Sequence, residues 1–449
     1  MFAPYDVLHQ QLRGMLQDKT EQGHDVSGLA EQLDTLPDDY QAIADMADRI
    51  DATPIRPDWP YDEPSDWPSV RAALHPLAGP AGTAPADAGA RAAAGFLGSV
   101  AGCILGKPVE IMPTLDELRT ALEKIGEWPL NDYIPTRLLT EGGLREFHRD
   151  WPECVRENIR WVTADDDINY TLLGMMALEQ HGIAFTKADL RRLWLDNVPL
   201  GYTWGPERTF LTKQGLAMGI EDNPAMDLEA LPATRNPWEE LCGAMIRADA
   251  YGYACPGRPD LAAELAWRDA SLTHRANGIY GAMFAAAAIA AAYTVTDPVE
   301  IFEVALRHVP QRSRFHAIVA DSLDRVANAS DWLDGYRSIH GRYAEYGHCR
   351  IFQESGTLIN TLRFATDVGH GICLQVSQGN DTDSYGATAG SILGVHFGPG
   401  HLEDRWTAPF DDTLHTRLGG YWELSLSATA ERVAALPLLG LAASPATAR

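Results

Sequence analysis

An all-α fold is predicted for this chain by three observations. Alanine-rich stretches with helical periodicity recur along most of its length, β-branched runs are sparse, and two distant stretches carry a glycine at every fourth position. Residues 7–50 are polar but set Leu8, Leu12, Leu29, Leu33 and Ile43 at helical spacings. Prolines then recur from Pro54 to Pro85, so residues 53–86 read as an extended tether. A boundary near Asp87 divides the chain into 1–86, a helical segment with its tether, and 87–449, one main multi-helix domain. Within that domain, helices are predicted over 90–105, 169–181, 260–270, 279–293 and 384–397.

The glycine pattern has a packing consequence. Gly98, Gly102 and Gly106 are spaced by four, as are Gly386, Gly390, Gly394 and Gly398. Glycine inside a helix costs about 1 kcal/mol relative to alanine. A stripe of it is therefore explained by another backbone approaching closely on that face. The expectation is that the two glycine faces lie near the core and bring Glu110 and Asp381 into one neighbourhood.

At 449 residues the chain is long enough for a large core, and 45% hydrophobic with 22% charged residues is ordinary for a globular protein. The net charge of -26 is not ordinary. It argues against nucleic acid and anionic membrane as main partners, since both require a basic footprint. A pyrophosphate ligand would need a locally neutralised pocket. No basic stretch followed by an apolar one opens the sequence, and the apolar run 282–293 is too short to span a bilayer. Six cysteines without a Cys-x-x-Cys pair fit free thiols. The expected location is cytoplasmic.

Two acidic clusters carry the chemistry: Thr163-Ala164-Asp165-Asp166-Asp167 and Gly379-Asn380-Asp381-Thr382-Asp383-Ser384. Each alone reads as a helix N-terminal cap, where acidic residues meet orphan N–H groups and the dipole. Two of them, the second followed by a hydroxyl, point instead to a hard divalent ion with octahedral oxygen ligands. Gly106-Lys107 superficially suggests a phosphate loop, but Ala101 and Pro108 break that pattern. His274 precedes Asn277-Gly278 at a predicted helix start, a place that can hold an anion. Trp161 and Trp204 are candidates for stacking on a base, although buried core is the commoner fate of tryptophan.

At these residues the chain resembles the ADP-ribosylglycohydrolase family. The family's Leu-Gly-x-Pro-x-Glu is matched at 105–110, its Thr-Asp-Asp-Thr by Ala164-Asp165-Asp166-Asp167, and its Gly-Gly-Asp-x-Asp-Thr at 379–384. Asn197-Val198-Pro199 with Thr203-Trp204, Ile246-Arg247-Ala248-Asp249 and residues 271–278 also fit, so the resemblance spans roughly 90–399. It implies a compact all-α fold with two Mg²⁺ (or Mn²⁺) ions held by Asp165, Asp166, Asp381, Asp383 and Ser384. Glu110 and Asp166 would be catalytic, Glu110 as the carboxylate that activates water. Gly106, Trp204, His274, Asn277, Gly278, Gly379 and Asn380 would border the substrate.

The implied reaction is hydrolysis of the bond joining an ADP-ribosyl group to its acceptor, often an arginine guanidinium. The chain departs from the family at Ala164, where a threonine ligand is usual, and at Asp167, Ser384, Asn380 and Cys103. Expected partners are an ADP-ribosylated protein or a small ADP-ribosyl or NAD-derived molecule. Two other readings are an N-glycosidase acting on such a metabolite and a catalytically silent binding module.

Overall fold

Helices supply nearly all the regular structure in the computed structural model, which describes residues 3–110, 113–216 and 227–441. Among the described residues the only paired strands are Thr413–His415 and Glu423–Ser425, antiparallel with Leu414 opposite Leu424. The predicted main-domain helices are present as Ala88–Gly106, Asp166–His181, Pro259–Ala270, Ala276–Ala292 and Thr382–Phe397.

Every residue of Ala276–Ala292 is buried. Its alanines leave a slim cylinder around which Pro259–Ala270, Pro298–Leu306 and the Cys242–Arg247 turn pack closely. The Ala88–Gly106 and Thr382–Phe397 helices lie face to face along their glycines. A Cβ on Gly98, Gly102 or Gly106 would run into the carbonyl of Gly390, Gly386 or Thr382 respectively. The first of these helices, extended through Val109, is long and apolar enough by composition to cross a membrane. Its apolarity instead serves the core, since Val100, Ala101, Cys103, Ile104 and Leu105 are fully buried.

Helices Tyr5–Glu21, Leu29–Asp34 and Tyr40–Asp51 enclose a small core of their own, including Leu12, Met15, Leu33, Ile43 and Ile50. Polar contacts join this unit to the main body. Asp18 is buried and accepts from the Trp238 and Glu239 N–H groups (2.5 and 3.2 Å) and from Arg350 (3.2 Å). Burial pushes its carboxyl up to about 8, against the opposing pull of Arg350.

The proline-rich stretch is not extended throughout, because Asp66 caps a short helix at Trp67–Ala72 in which Pro68 fits the first turn, and the stretch is fastened along the body. The Ser65 carbonyl accepts from Trp267 Nε1 at 2.9 Å, and the Pro64 carbonyl accepts from the Tyr280 hydroxyl. Glu63 pairs with Arg314 at 2.9 Å, and Arg314 pairs in turn with the fully buried Glu240 at 2.7 Å. One guanidinium thus joins the N-terminal strap to the core.

Candidate functional site

Three chain segments converge on one cavity of about 470 Å³. The Ala88–Gly106 helix tightens into a short turn at Lys107–Val109, where Pro108 removes a backbone donor, and the chain then delivers Glu110. Asp165 is extended and caps the Asp166–His181 helix by accepting the Asp167 N–H at 2.9 Å. Gly379 (φ 79°) and Asn380 (φ 63°) form a left-handed turn that starts Thr382–Phe397. A side chain at Gly379 would strike the Pro113 carbonyl, so glycine fits both the φ and the contact. Thr382 Oγ1 donates to the Gly106 carbonyl at 2.8 Å and ties the first segment to the third.

Glu110, Asp165, Asp166, Asp381, Asp383 and Ser384 all line the cavity. With Asp150 and Glu207 the lining holds seven carboxylates and, among the described residues, one buried cation, Lys107, which contacts Asp165 directly. Burial alone would raise the Asp165 carboxyl, but Lys107 and the hydrogen bond from Asp167 hold it down at about 2. Glu110 is pushed up to about 7 by burial and by the charge on Asp381. Asp166 is driven well up by burial and Asp165, and Asp383 by burial and Glu110. His148 Nε2 lies 3.7 Å from Glu110, but burial and then Lys107 lower its pKa to about 4. It is therefore neutral near pH 7 and gives Glu110 no counter-charge.

The donor set fits hard divalent cations. It is rich in carboxylate oxygen, and behind the lining both Asp167 oxygens and Glu354 Oε2 are buried without a hydrogen-bond partner. Asp166, Asp381, Asp383 and Ser384 line the cavity and are the candidates to hold such ions. Asp165 is already engaged, one oxygen with Lys107 and the other with the Asp167 N–H. Lys107 therefore competes with any cation for Asp165 Oδ2.

The remaining residues singled out from sequence divide into two groups. Trp204 lies at the cavity wall, is 56% exposed and packs against the Arg208 guanidinium at 4.8 Å. Trp161 stacks near His415 instead and is not part of the lining. Gly106, Gly379 and Asn380 shape the backbone behind the carboxylates and do not line the cavity.

His274, Asn277 and Gly278, expected at the substrate, lie elsewhere. The anion at that helix N-terminus is the protein's own Glu240, which accepts from the Asn277 N–H at 3.2 Å and from its side-chain amide at 2.7 Å. His274 is fully buried, bonded to Thr273 Oγ1 at 2.8 Å and set 3.6 Å from Glu207. Gly278 lets the Glu239 backbone approach. Asn277 and Gly278 brace the 239–240 segment on which the N-terminal unit docks, while His274 sits behind Glu207, which lines the cavity.

Lys107, His148, Cys242, His348, Cys349 and Glu354 were not recognised from sequence as part of this centre. Lys107 alone carried a signal, its adjacency to the Leu-Gly-x-Pro-x-Glu glutamate. The others arrive from distant segments with no local pattern.

The chain matches the ADP-ribosylglycohydrolase family model over residues 84–437. No curated protein matches it. Among solved structures it is similar to an "ADP-ribosylglycohydrolase-related protein complex", with 20% identity and a TM-score of 0.51, over 79% of this chain and 99% of that one. At that identity the likeness concerns the fold. The family model covers most of the chain and includes all three segments that build the carboxylate cavity, and the chain belongs to the ADP-ribosylglycohydrolase family.

Proposed function

We propose that this protein is a divalent-cation-dependent hydrolase that cleaves the N-glycosidic bond of an ADP-ribosyl group, with ADP-ribosyl-arginine as the model substrate. The observation that carries the reading is the convergence of Glu110, Asp166, Asp381 and Asp383 on a cavity of about 470 Å³, within the usual range for small-molecule sites of roughly 300–1,000 Å³. Mg²⁺ or Mn²⁺ held there, two ions when Asp165 also ligates, would polarise water and anchor ribose hydroxyls. Glu110 takes the proton of the attacking water. The surrounding carboxylates stabilise the positive charge that develops at the anomeric carbon. Arg149 at the rim is a cation available to the pyrophosphate. We assign the activity to the cytoplasm.

Trp204 supplies an exposed ring at the cavity wall for the adenine. Trp204→Ala is expected to raise KM about tenfold with little change in kcat, as loss of one base–aromatic stack would. Equal KM values for the two proteins would remove Trp204 from the binding surface.

The decisive assay is release of free ADP-ribose from ADP-ribosyl-arginine with Mg²⁺, then with EDTA. Release that stops on chelation supports the reading. Failure to release with metal bound would favour a small NAD-derived or nucleoside-like substrate for the same centre. Failure both to bind metal and to turn over substrate would favour a silent ADP-ribose-binding module.

A further inference from the structure

Two thiols stand in the wall of the carboxylate cavity. Cys242 and Cys349 both line it, and both are free. They come from segments far apart in sequence, joined by an antiparallel bridge between Leu241 and Arg350 and by a 3.0 Å hydrogen bond from the Cys242 N–H to the Cys349 carbonyl. Residues paired this way place their side chains next to each other. Cys349 adopts φ 58°, a left-handed backbone that a non-glycine residue takes only when its surroundings impose it.

The sulfurs do not face an apolar wall. Cys242 Sγ lies 3.2 Å from Asp381 Oδ2. Both sulfurs and an Asp381 oxygen lie within 4.8 Å of one another. Glu354 adjoins this group through the Asp381 backbone. It is 2% exposed, and its Oε1 accepts the Asp381 N–H at 2.9 Å. Its Oε2 is buried with no hydrogen-bond partner, and its charge bears on both cysteines. A buried carboxylate oxygen left unpaired beside two thiols and a second carboxylate has no protein group to satisfy it.

We infer that Cys242, Cys349, Asp381 and Glu354 form a binding site for one soft or borderline divalent cation, with Zn²⁺ as the fitting ion, distinct from the oxygen-only positions around Glu110 and Asp383. Thiolate pairs select Zn²⁺ over Mg²⁺, which takes oxygen ligands in octahedral geometry. Zinc bonds of about 2.0–2.3 Å keep any two ligand atoms within about 4.6 Å of each other, so small side-chain rotations close the site. On binding, each thiol releases its proton to solvent, two Zn–S bonds form, and the carboxylates displace water from the incoming ion. The cavity provides the entry path. A carboxylate has two oxygens, so Asp381 can serve this ion and a hard ion on its other side. Zinc here would therefore alter the hard-cation centre through a shared ligand.

The test uses the full chain, reduced and stripped of metal, with Co²⁺ as the optical probe and Zn²⁺ as competitor. The expected result is a thiolate-to-cobalt charge-transfer band that saturates at one equivalent and is bleached by Zn²⁺. Cys242→Ser and Cys349→Ser should each remove most of the band and weaken Zn²⁺ binding about 100-fold, while Cys373→Ser, in a different helix, leaves both intact. A cobalt spectrum without sulfur ligation would overturn the proposal. So would a band that persists in the double variant, which would assign the sulfur to Cys103 near Asp165.

Alkylation of the wild-type protein gives a second measurement that does not depend on the variants folding. Zn²⁺ should protect Cys242 and Cys349 from iodoacetamide, and unchanged labelling of both would also sink the site. None of these readouts involves turnover, so the zinc site and the glycohydrolase reading stand or fall separately.

Discussion

Glu110→Gln is expected to lower kcat by about 10²–10⁴-fold, the usual contribution of a positioned general base, while leaving bound metal unchanged. The substitution preserves shape and one carbonyl oxygen but removes the proton acceptor. About a quarter of the Glu110 side chain is exposed, and it opens onto the cavity between Lys107 and Asp381. The wild-type pH profile provides a second signature. Glu110 acts as a base only when ionised, so activity should fall as pH drops through its pKa.

Without a cation, burial and Asp381 set that pKa at about 7. A bound divalent ion opposes both effects and moves the acid limb lower. The Gln variant should lose that limb altogether. Wild-type turnover in Glu110→Gln would transfer the role of base to another carboxylate, with Asp166 the next candidate.

The sequence showed the site unevenly, for identifiable reasons. Clusters that are contiguous in the chain, such as 165–167 and 381–384, were readable because helix N-termini place adjacent residues in one small volume. The glycine spacing was readable because only backbone contact explains glycine repeated along a helix face. His274 and Asn277-Gly278 looked like an anion site because helix N-termini bind anions. Nothing local shows that Glu240, an intramolecular carboxylate, already occupies that position.

Cys242, Cys349 and Glu354 could not have been grouped from sequence, because a bridge between remote segments brings them together. The tether, read as extended, is interrupted by the short helix Trp67–Ala72. Its fastening depends on side chains such as Trp267 and Arg314, whose partners are set by the tertiary fold. Lys107 is the most instructive omission: its likeness to a phosphate-loop lysine hides its electrostatic role, as the one buried cation, among the described residues, in the lining of the carboxylate cavity.

Gly102→Val is expected to destabilise the protein by more than about 4 kcal/mol, in the range reserved for severe core disruption, or to prevent folding. The position has no space on the contact side. A Cβ there would overlap the Gly386 carbonyl, and one on Gly386 would meet the Gly102 carbonyl at 2.5 Å. Backbone cannot rotate aside as a side chain can, so the helices must separate along their length and forfeit close packing on both sides. Gly341→Ala is the matching control. That glycine is exposed in the last turn of Trp332–Tyr343 with nothing within 4 Å, so the change should be neutral or stabilising by up to about 1 kcal/mol. Thermal melts of the two variants separate the effect of contact from that of helix propensity. Similar melting temperatures would show that the glycine faces are not tightly joined. The same contact governs the chemistry, because Gly106 rests on the Thr382 backbone at the end of the stripe nearest the cavity. Separating the helices there moves Glu110 away from Asp381 and Asp383. Gly106→Ala should therefore lose metal affinity before it loses its fold.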